Sequence, residues 1–597
     1  MFGLALAAAA LSHAQESLAL PKDLEARCDK IFAAWDRKDG PGGVVAVMQG
    51  DDVVFKKAYG LANLENSVPN TTDTLFDIGS ISKQFTAMCL LLLQEDGLLS
   101  IDDPVSKYLP GFDGLAEHKV TIRDLLTHSS GLRDMFVLML LSGERQYTDA
   151  EVLDVLKRQR TFNFDRDTQF MYSNSGYFLA AQIVEAVSKK PLSVFAKERI
   201  FDPLGMDSTQ IKDRAGMVIP DVADSYVKSG KTWIRDDKNV TAVGASGVQT
   251  CIADMAKWVA NFRHNKLGKG DQHLIEEMQQ PHILSDGKDS HYGLGLIITD
   301  LGGVRQVQHS GGWEAYRSMV SRFPDYDLAI ITFGNGGSLL PLNGNNALAK
   351  ELLADKMEPA KPERPAVALP EADLQGLVGT YQLNSDKVAV VTRLKQRLFI
   401  QVTGQARFEV FAAKKDDFFY RNIPAEVVFE RDTDDKVTSA TITQNDVAYK
   451  MPRIDPYVPT DDYLDSLSGT YHSDELNATI ELVKSGKSLV AKVKGYRSLA
   501  LAFHLKDHAR SGAWSFDFDR DEKGSVTAFR IGTNRAINMV YKRIEQHGSD
   551  SEEWWVGLGA RAFSPHRGSR AFRLARALLS TQEWRVGLLD DLISNSR

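Results

Sequence analysis

Ser80 and Lys83, in the run Ile78-Gly-Ser80-Ile-Ser82-Lys83-Gln-Phe, stand three residues apart at the start of an apolar helical stretch, a spacing that stacks both side chains on one face. A serine hydroxyl at a helix N-terminus gains from the positive end of the dipole as alkoxide character develops, and a desolvated lysine one turn on can share or relay its proton. Alone the pattern has little weight, because S-x-x-K arises by chance roughly two or three times in a chain this long and a serine there is otherwise an N-cap. Tyr172-Ser173-Asn174, just before Gly176, is a second element. Tyrosine ionises at about 10, so a tyrosine base near neutral pH needs neighbouring positive charge, which Lys83 would supply; otherwise Tyr172 is a core tyrosine with its hydroxyl tied up. The third element, His309-Ser310-Gly311-Gly312, closes the alternating run Val304–Gln308 and marks a strand end, where glycines let a substrate backbone approach. Three such elements in this order, with the tyrosine about ninety residues after the serine, are far less probable by chance than any one of them.

The elements that must position these residues lie in residues 22–356, which read as mixed α/β. Strand-like runs such as Val44–Met48 and Leu328–Phe333 bracket helical stretches such as Phe85–Leu93 and Ala180–Val187. Strands at both ends of one region close a single sheet only if the ends pair, which leaves the helices to cover its faces. Residues 357–371 carry four prolines from Pro359 to Pro370 and read as a semi-rigid linker. Beyond it come short alternating runs with an internal repeat: Leu377-Val-Gly-Thr-Tyr381 returns as Leu467-Ser-Gly-Thr-Tyr471, and Val447-Ala-Tyr-Lys450 as Met539-Val-Tyr-Lys542. The spacing predicts two all-β sister domains, 372–456 and 462–545, each a small closed barrel that removes its own edges. They read as spacers or active-site lids, since neither repeat contains a constellation of polar residues.

The ends of the chain have textures of their own. Residues 1–14 hold an apolar run, Phe2–Leu11, too short to span a bilayer, and then Ser12-His13-Ala14, a small-x-small pattern of the kind signal peptidase cuts; export to the periplasm or beyond is the expectation. Residues 546–597 lose lysine and gain arginine and tryptophan, and read as a tail of uncertain order with Arg570, Arg573 and Arg576 on one helical face.

Composition narrows the function classes. With 43% hydrophobic and 25% charged residues the 597-residue chain is a folded, water-soluble, multidomain protein without a transmembrane segment. Seventy-nine acidic against 71 basic residues leave no excess positive potential for a phosphate backbone, so nucleic acid is not an expected partner. Cys28, Cys89 and Cys251 match neither a metal spacing nor a disulfide framework and read as buried thiols. Zinc-peptidase, P-loop, C-x-x-C and G-x-S-x-G signatures are missing, and no cofactor is called for.

With the three motifs in hand, residues 25–350 resemble the serine hydrolases that include class C β-lactamases, D-alanyl-D-alanine carboxypeptidases, D-aminopeptidases and related esterases. Leu99-Ser-Ile-Asp-Asp-Pro-Val105, Thr121–Gly131, Phe201-Asp-Pro-Leu-Gly-Met206 and Tyr292-Gly-Leu-Gly295 look like that family's scaffold signatures. His128 belongs to one of them and reads as structural. The resemblance implies an antiparallel sheet flanked by helices, in an α/β (α+β) β-lactamase-like domain, followed here by two lipocalin-like barrels. It implies Ser80 as acylated nucleophile, Lys83 as its proton-sharing partner and Tyr172 as the base that later activates water. Asn174 would hold the substrate amide, the N–H groups of Ser80 and Gly312 would form an oxyanion hole, and His309, Ser310 and Gly311 would line the substrate. Where β-lactamases of this class usually carry Lys-Thr-Gly, with the lysine helping to bind the substrate carboxylate, this chain has His309. That histidine and the two barrels resemble the three-domain D-aminopeptidases.

The expectation is therefore an exported, metal-independent serine hydrolase acting through an acyl-enzyme on small amides or peptides with D-amino acid or peptidoglycan-like groups. The alternatives are a carboxylesterase with weak β-lactamase activity and a non-catalytic penicillin-binding sensor. D against L preference and oligomeric state are not readable from the sequence.

Overall fold

The computed structural model describes residues 18–544 apart from 145–146, 237–239, 360–363, 385–386, 404, 406, 422 and 445–446. The signal-like segment 1–14 and the tail 546–597 lie outside the described residues.

The first domain is built on six antiparallel strands: β1 (Gly43–Gln49), β2 (Asp52–Tyr59), β3 (Ile297–Leu301), β4 (Val304–Trp313), β5 (Tyr316–Phe323) and β6 (Leu328–Gly334), in the order β3-β4-β5-β6-β1-β2. The closure expected from the strand distribution is present, with Gly43 opposite Gly334 and Gln49 opposite Leu328. β1 and β6 read as nearly continuous apolar runs because both faces of the sheet are covered. Val45 and Val47 pack on one face with Phe32, Leu348 and Leu352, beneath the helices α1 (Leu24–Ile31) and α6 (Pro341–Leu352). Val44, Ala46 and Met48 point to the other, where α2 (Lys83–Glu95), α3 (Met135–Ser142), α4 (Asn174–Ser188) and α5 (Ile252–Asn261) build the larger core. Every residue of α2 from Lys83 to Leu93 is buried, so this helix runs through the middle of the domain rather than along its surface. Cys28, Cys89 and Cys251 are unpaired and buried, as the sequence suggests.

The strand carrying the third motif is longer than its alternation indicates. β4 runs through His309-Ser-Gly-Gly to Trp313, because pairing to β5 continues with His309 opposite Val320 and Gly311 opposite Ser318. On its other side β3 pairs only as far as Gln308, so residues 309–313 present an open edge.

Residues 379–454 and 469–543 each form a closed eight-stranded barrel. The first strand pairs the last in both, Tyr381 opposite Arg453 and Tyr471 opposite Arg543. Each barrel is entered by a short helix whose last leucine carbonyl accepts a 2.8 Å hydrogen bond from that tyrosine, Leu377 from Tyr381 and Leu467 from Tyr471. Arg453 and Arg543 donate to carbonyls of the same two turns, which fixes the register of the repeat. In that register Val447–Lys450 and Met539–Lys542 are two residues out of step; a slip of two preserves the facing of every side chain, so alternation alone does not reveal it. The last two strands of the second barrel, β7 (Val526–Thr533) and β8 (Ala536–Arg543), form the hairpin that matters below. Among the described residues no helix is long and apolar enough to cross a membrane.

Candidate active site

Ser80 sits on a single 3-10 turn, Gly79–Ser82, that runs directly into α2. The turn is wedged against β4. Gly79 has φ +53°, and a Cβ on it would come within 2.5 Å of Gly312 N; a Cβ on Gly311 would come within 1.9 Å of the Ile78 carbonyl oxygen. Ser318 on β5 donates to that same carbonyl at 2.7 Å. Beneath the turn, buried Asp77 accepts from Gly79 N–H at 2.7 Å and from Gln249 Nε2 at 2.8 Å, and burial pushes its carboxyl up to about 7. Sequence reasoning passed over Asp77, whose signal is only an acidic residue two positions before a glycine.

Lys83 is fully buried, and burial together with the nearby Arg535 guanidinium holds its amine well below the ordinary lysine range, against the opposing pull of Asp134. Its Nζ has three neighbours: Asn174 Oδ1 at 2.9 Å, the Ala245 carbonyl at 2.9 Å and Ser80 Oγ at 3.1 Å. All three lie at hydrogen-bond distance, so the amine is held in place against the Ser80 hydroxyl, and its burial favours the uncharged form.

Tyr172 precedes the N-terminus of α4, with its ring 4.9 Å from Lys83 Nζ. Among the described residues its buried hydroxyl makes no hydrogen bond of good geometry. Burial raises its pKa well above the ordinary value, and the nearby Ser80 hydroxyl and Arg535 guanidinium pull it down only in part. This departs from the expectation of a phenol acidified by Lys83, because desolvation dominates. His128 lies directly behind, its ring centroid 4.2 Å from that of Tyr172, and its Nδ1 accepts from Ser173 N–H at 3.2 Å. The signature histidine, which sequence reasoning left away from Ser80, therefore backs the tyrosine.

Asn174 opens α4 and is committed at both ends of its amide: Oδ1 to Lys83, and Nδ2 to Asp134 Oδ2 at 2.8 Å, with its backbone N–H on the same oxygen at 2.9 Å. Its first effect is to orient Lys83, leaving one N–H and one lone pair toward a substrate. His309 is buried and neutral, its pKa lowered to about 3 by burial and by Lys83. Nδ1–H donates to the Ser310 carbonyl at 2.6 Å, which leaves Nε2 to accept from the Tyr292 hydroxyl at 3.0 Å. His309 is thus no cation in the place of the missing motif lysine.

These residues face a cleft of about 930 Å³ lined by Ser80, Tyr172, Asn174, His309, Ser310 and Gly312, so the sequence-derived set, with Lys83 and Gly311 packed just behind, is brought together. One further lining residue comes from far along the chain: Arg535, on the β7–β8 hairpin of the second barrel. That barrel is no mere spacer. Its hairpin is held by buried Arg133, which donates to the carbonyls of Ile537 at 3.0 Å and Asn538 at 2.9 Å and pairs with Glu475 at 2.6 Å.

A serine beside a buried amine, a buried phenol and an open strand edge is an arrangement for acyl transfer. The beta-lactamase family matches residues 29–354, and the chain belongs to that family; it is a serine hydrolase. A domain of unknown function, DUF3471, matches residues 363–455, the first barrel. The chain is 27% identical over 531 residues to a D-aminopeptidase of Brucella anthropi, spanning 85% of this chain and 96% of that one. It is 29% identical over 423 residues to a penicillin-binding protein of Bacillus subtilis (strain 168), spanning 67% and 92%. Among solved structures it is similar to the D-amino acid amidase of Ochrobactrum anthropi SV3, with 24% identity, a TM-score of 0.48 and coverage of 56% of this chain and 99% of that one.

Proposed function

We propose that the protein hydrolyses small amides or peptides bearing D-amino acid or peptidoglycan-like groups through an acyl-enzyme on Ser80. The observation that carries this reading is the buried Lys83 amine, held 3.1 Å from Ser80 Oγ by Asn174 Oδ1 and the Ala245 carbonyl, where burial favours its uncharged form. Ser80 Oγ attacks the substrate carbonyl carbon and its proton passes to Lys83, while the N–H groups of Ser80 and Gly312 hold the oxyanion, a type of contact worth about 3 kcal/mol per donor. Collapse of the tetrahedral species breaks the C–N bond, and the leaving nitrogen takes the proton of Tyr172. The site then holds an ammonium beside a phenolate. In deacylation the phenolate takes a proton from water, whose oxygen attacks the ester carbon, and Lys83 returns its proton to Ser80 Oγ. Every group ends as it began, and the tyrosine acts as the water-activating base only after acylation has charged Lys83.

The D-amino acid preference is supported by the D-aminopeptidase relative and is tested with the p-nitroanilides of N-acetyl-D-alanine and N-acetyl-L-alanine. Release from the D form, abolished in a folded Ser80→Ala variant, is expected. Equal rates on both enantiomers would favour the carboxylesterase reading, and a stable β-lactam adduct without turnover the sensor reading. Export belongs to the same proposal, supported by Phe2–Leu11 and the Ser12-His13-Ala14 pattern; N-terminal sequencing of the exported protein should begin after Ala14, and an intact Met1 would reject it.

A further inference from the structure

β7 and β8 are joined by a two-residue turn, Asn534-Arg535, with Thr533 opposite Ala536. The Arg535 carbonyl accepts from Asp134 N–H at 3.1 Å and from Asn163 Nδ2 at 3.2 Å, so its backbone is pinned to the catalytic domain without help from its side chain. The guanidinium reaches over the face of Tyr172, with Cζ 5.1 Å from the ring centroid, and lines the cleft beside Ser80. Among the described residues it makes no ion pair and no side-chain hydrogen bond.

The other charges around the cleft are committed elsewhere or stand at its rim. Arg317 donates to the backbone carbonyls of Glu314 and Tyr316. Asp134 is buried and its carboxylate accepts from Phe136 N–H as well as from both donors of Asn174. Glu314 has partners of its own, and Glu144 is exposed at the rim. Lys83 and His309 are buried where their charged forms are disfavoured, and Lys83 is already hydrogen-bonded to Asn174, Ala245 and Ser80. Arg535 also has a definite side: its carbonyl is tied to Asp134, which holds Asn174, whereas His309 is tied to Tyr292 and Ser310. Asn174 is the residue expected to hold the substrate amide, and we place the acyl group on that side.

We infer that Arg535, supplied by the second barrel, is a specificity-determining residue that takes a carboxylate or similar anion on the acyl group of the substrate and turns away a free ammonium there. A guanidinium with unused N–H donors offers a two-pronged, charge-assisted contact to a carboxylate and repels a like charge. The inference rests on the acyl-enzyme reading and narrows it to acylated, acidic donors rather than free-amine ones.

The experiment uses three activated esters of matched length: mono-p-nitrophenyl adipate, its methyl ester, and p-nitrophenyl 6-aminohexanoate, whose acyl groups end in an anion, a neutral group and a cation. In the full-length wild type kcat/KM should fall in that order, by about tenfold or more from first to last. Arg535→Ala should bring the three to within about threefold, Arg535→Lys should keep the order, and Arg535→Glu should reverse it. The preference should shrink at about 1 M salt in every form with a charge at position 535, and salt should change little in Arg535→Ala. An unchanged ratio in Arg535→Ala, or equal rates on all three esters in the wild type, overturns the inference alone. No turnover of any of them overturns the acyl-enzyme reading as well.

Discussion

Burial disfavours the charged forms of two basic groups, Lys83 and His309, and both shifts have consequences in solution. The proposed acylation needs Lys83 uncharged, so kcat/KM should rise as pH passes upward through its depressed pKa. Arg535 lowers that pKa and Asp134 raises it. Arg535→Ala should therefore move the acid limb of the pH–rate profile to higher pH and Asp134→Asn to lower pH; limbs that move together, or not at all, would contradict the assignment. His309 titrates at about 3 in the folded protein against 6.5 ordinarily, so its contribution to stability is full above pH 6.5 and is lost as pH falls toward 3. Asp77, raised from 3.8 to about 7, works the other way, contributing below pH 3.8 and losing that contribution as pH rises through 7. Between pH 7 and pH 4 the denaturant-measured stability of the wild type should drop by about 3 kcal/mol more than that of His309→Asn. Ser80, Lys83, Tyr172 and His309 stood out in the sequence as three short motifs in a fixed order, and the roles expected of them are those the family resemblance implies. Their protonation was not legible there, because desolvation is set by what surrounds them.

At the scale of elements, the site depends on one close approach, the Gly79–Ser82 turn against β4. Gly311→Ala would drive a methyl group to 1.9 Å from the Ile78 carbonyl oxygen and 2.1 Å from Ser318 Oγ, whereas a Cβ at Gly312 meets nothing nearer than 3.6 Å. Gly311→Ala should displace Ser80 and lower kcat by about 100-fold, with a clear fall in melting temperature, while Gly312→Ala should melt close to the wild type. Equal melting of the two variants would show that the turn is not wedged as described. The pairing of the first and last strands could be read from the placement of Val44–Met48 and Leu328–Phe333, since both are apolar on two faces. The full extent of β4 could not, because Gly311 and Gly312 carry no side chain to continue the alternation that stops at Gln308.

At the scale of the whole molecule, Arg133 is one of the residues that join the second barrel to the catalytic domain. Its side chain is fully buried, and its N–H groups are taken up by Glu475, Gln159, Thr161 and the β8 carbonyls. Arg133→Met would leave Glu475 only its contacts to Arg160 and Thr161 on the other carboxylate oxygen, and losses of about 3–5 kcal/mol are usual for breaking a buried pair. Calorimetry should show the second barrel unfolding separately, limited proteolysis should cut near the β7–β8 hairpin, and the ester preference ascribed to Arg535 should vanish with it. A single cooperative transition at the wild-type temperature would rule this out. Nothing in the sequence pointed here. Arg133 and Glu475 are separated by 342 residues, and an arginine in a tight hairpin turn ordinarily reads as a solvated tip. The barrels were visible through their repeat, yet the role of the second one depends on a docking geometry that no local pattern encodes.

The covalent acyl-enzyme proposed on Ser80 is tested most directly by the mass of the protein quenched during turnover of mono-p-nitrophenyl adipate, followed by peptide mapping. One added acyl group is expected, on the peptide containing Ser80, which decays in the wild type and never forms in Ser80→Ala. An adduct on another residue, or turnover with no adduct and no dependence on Ser80, would contradict the proposal.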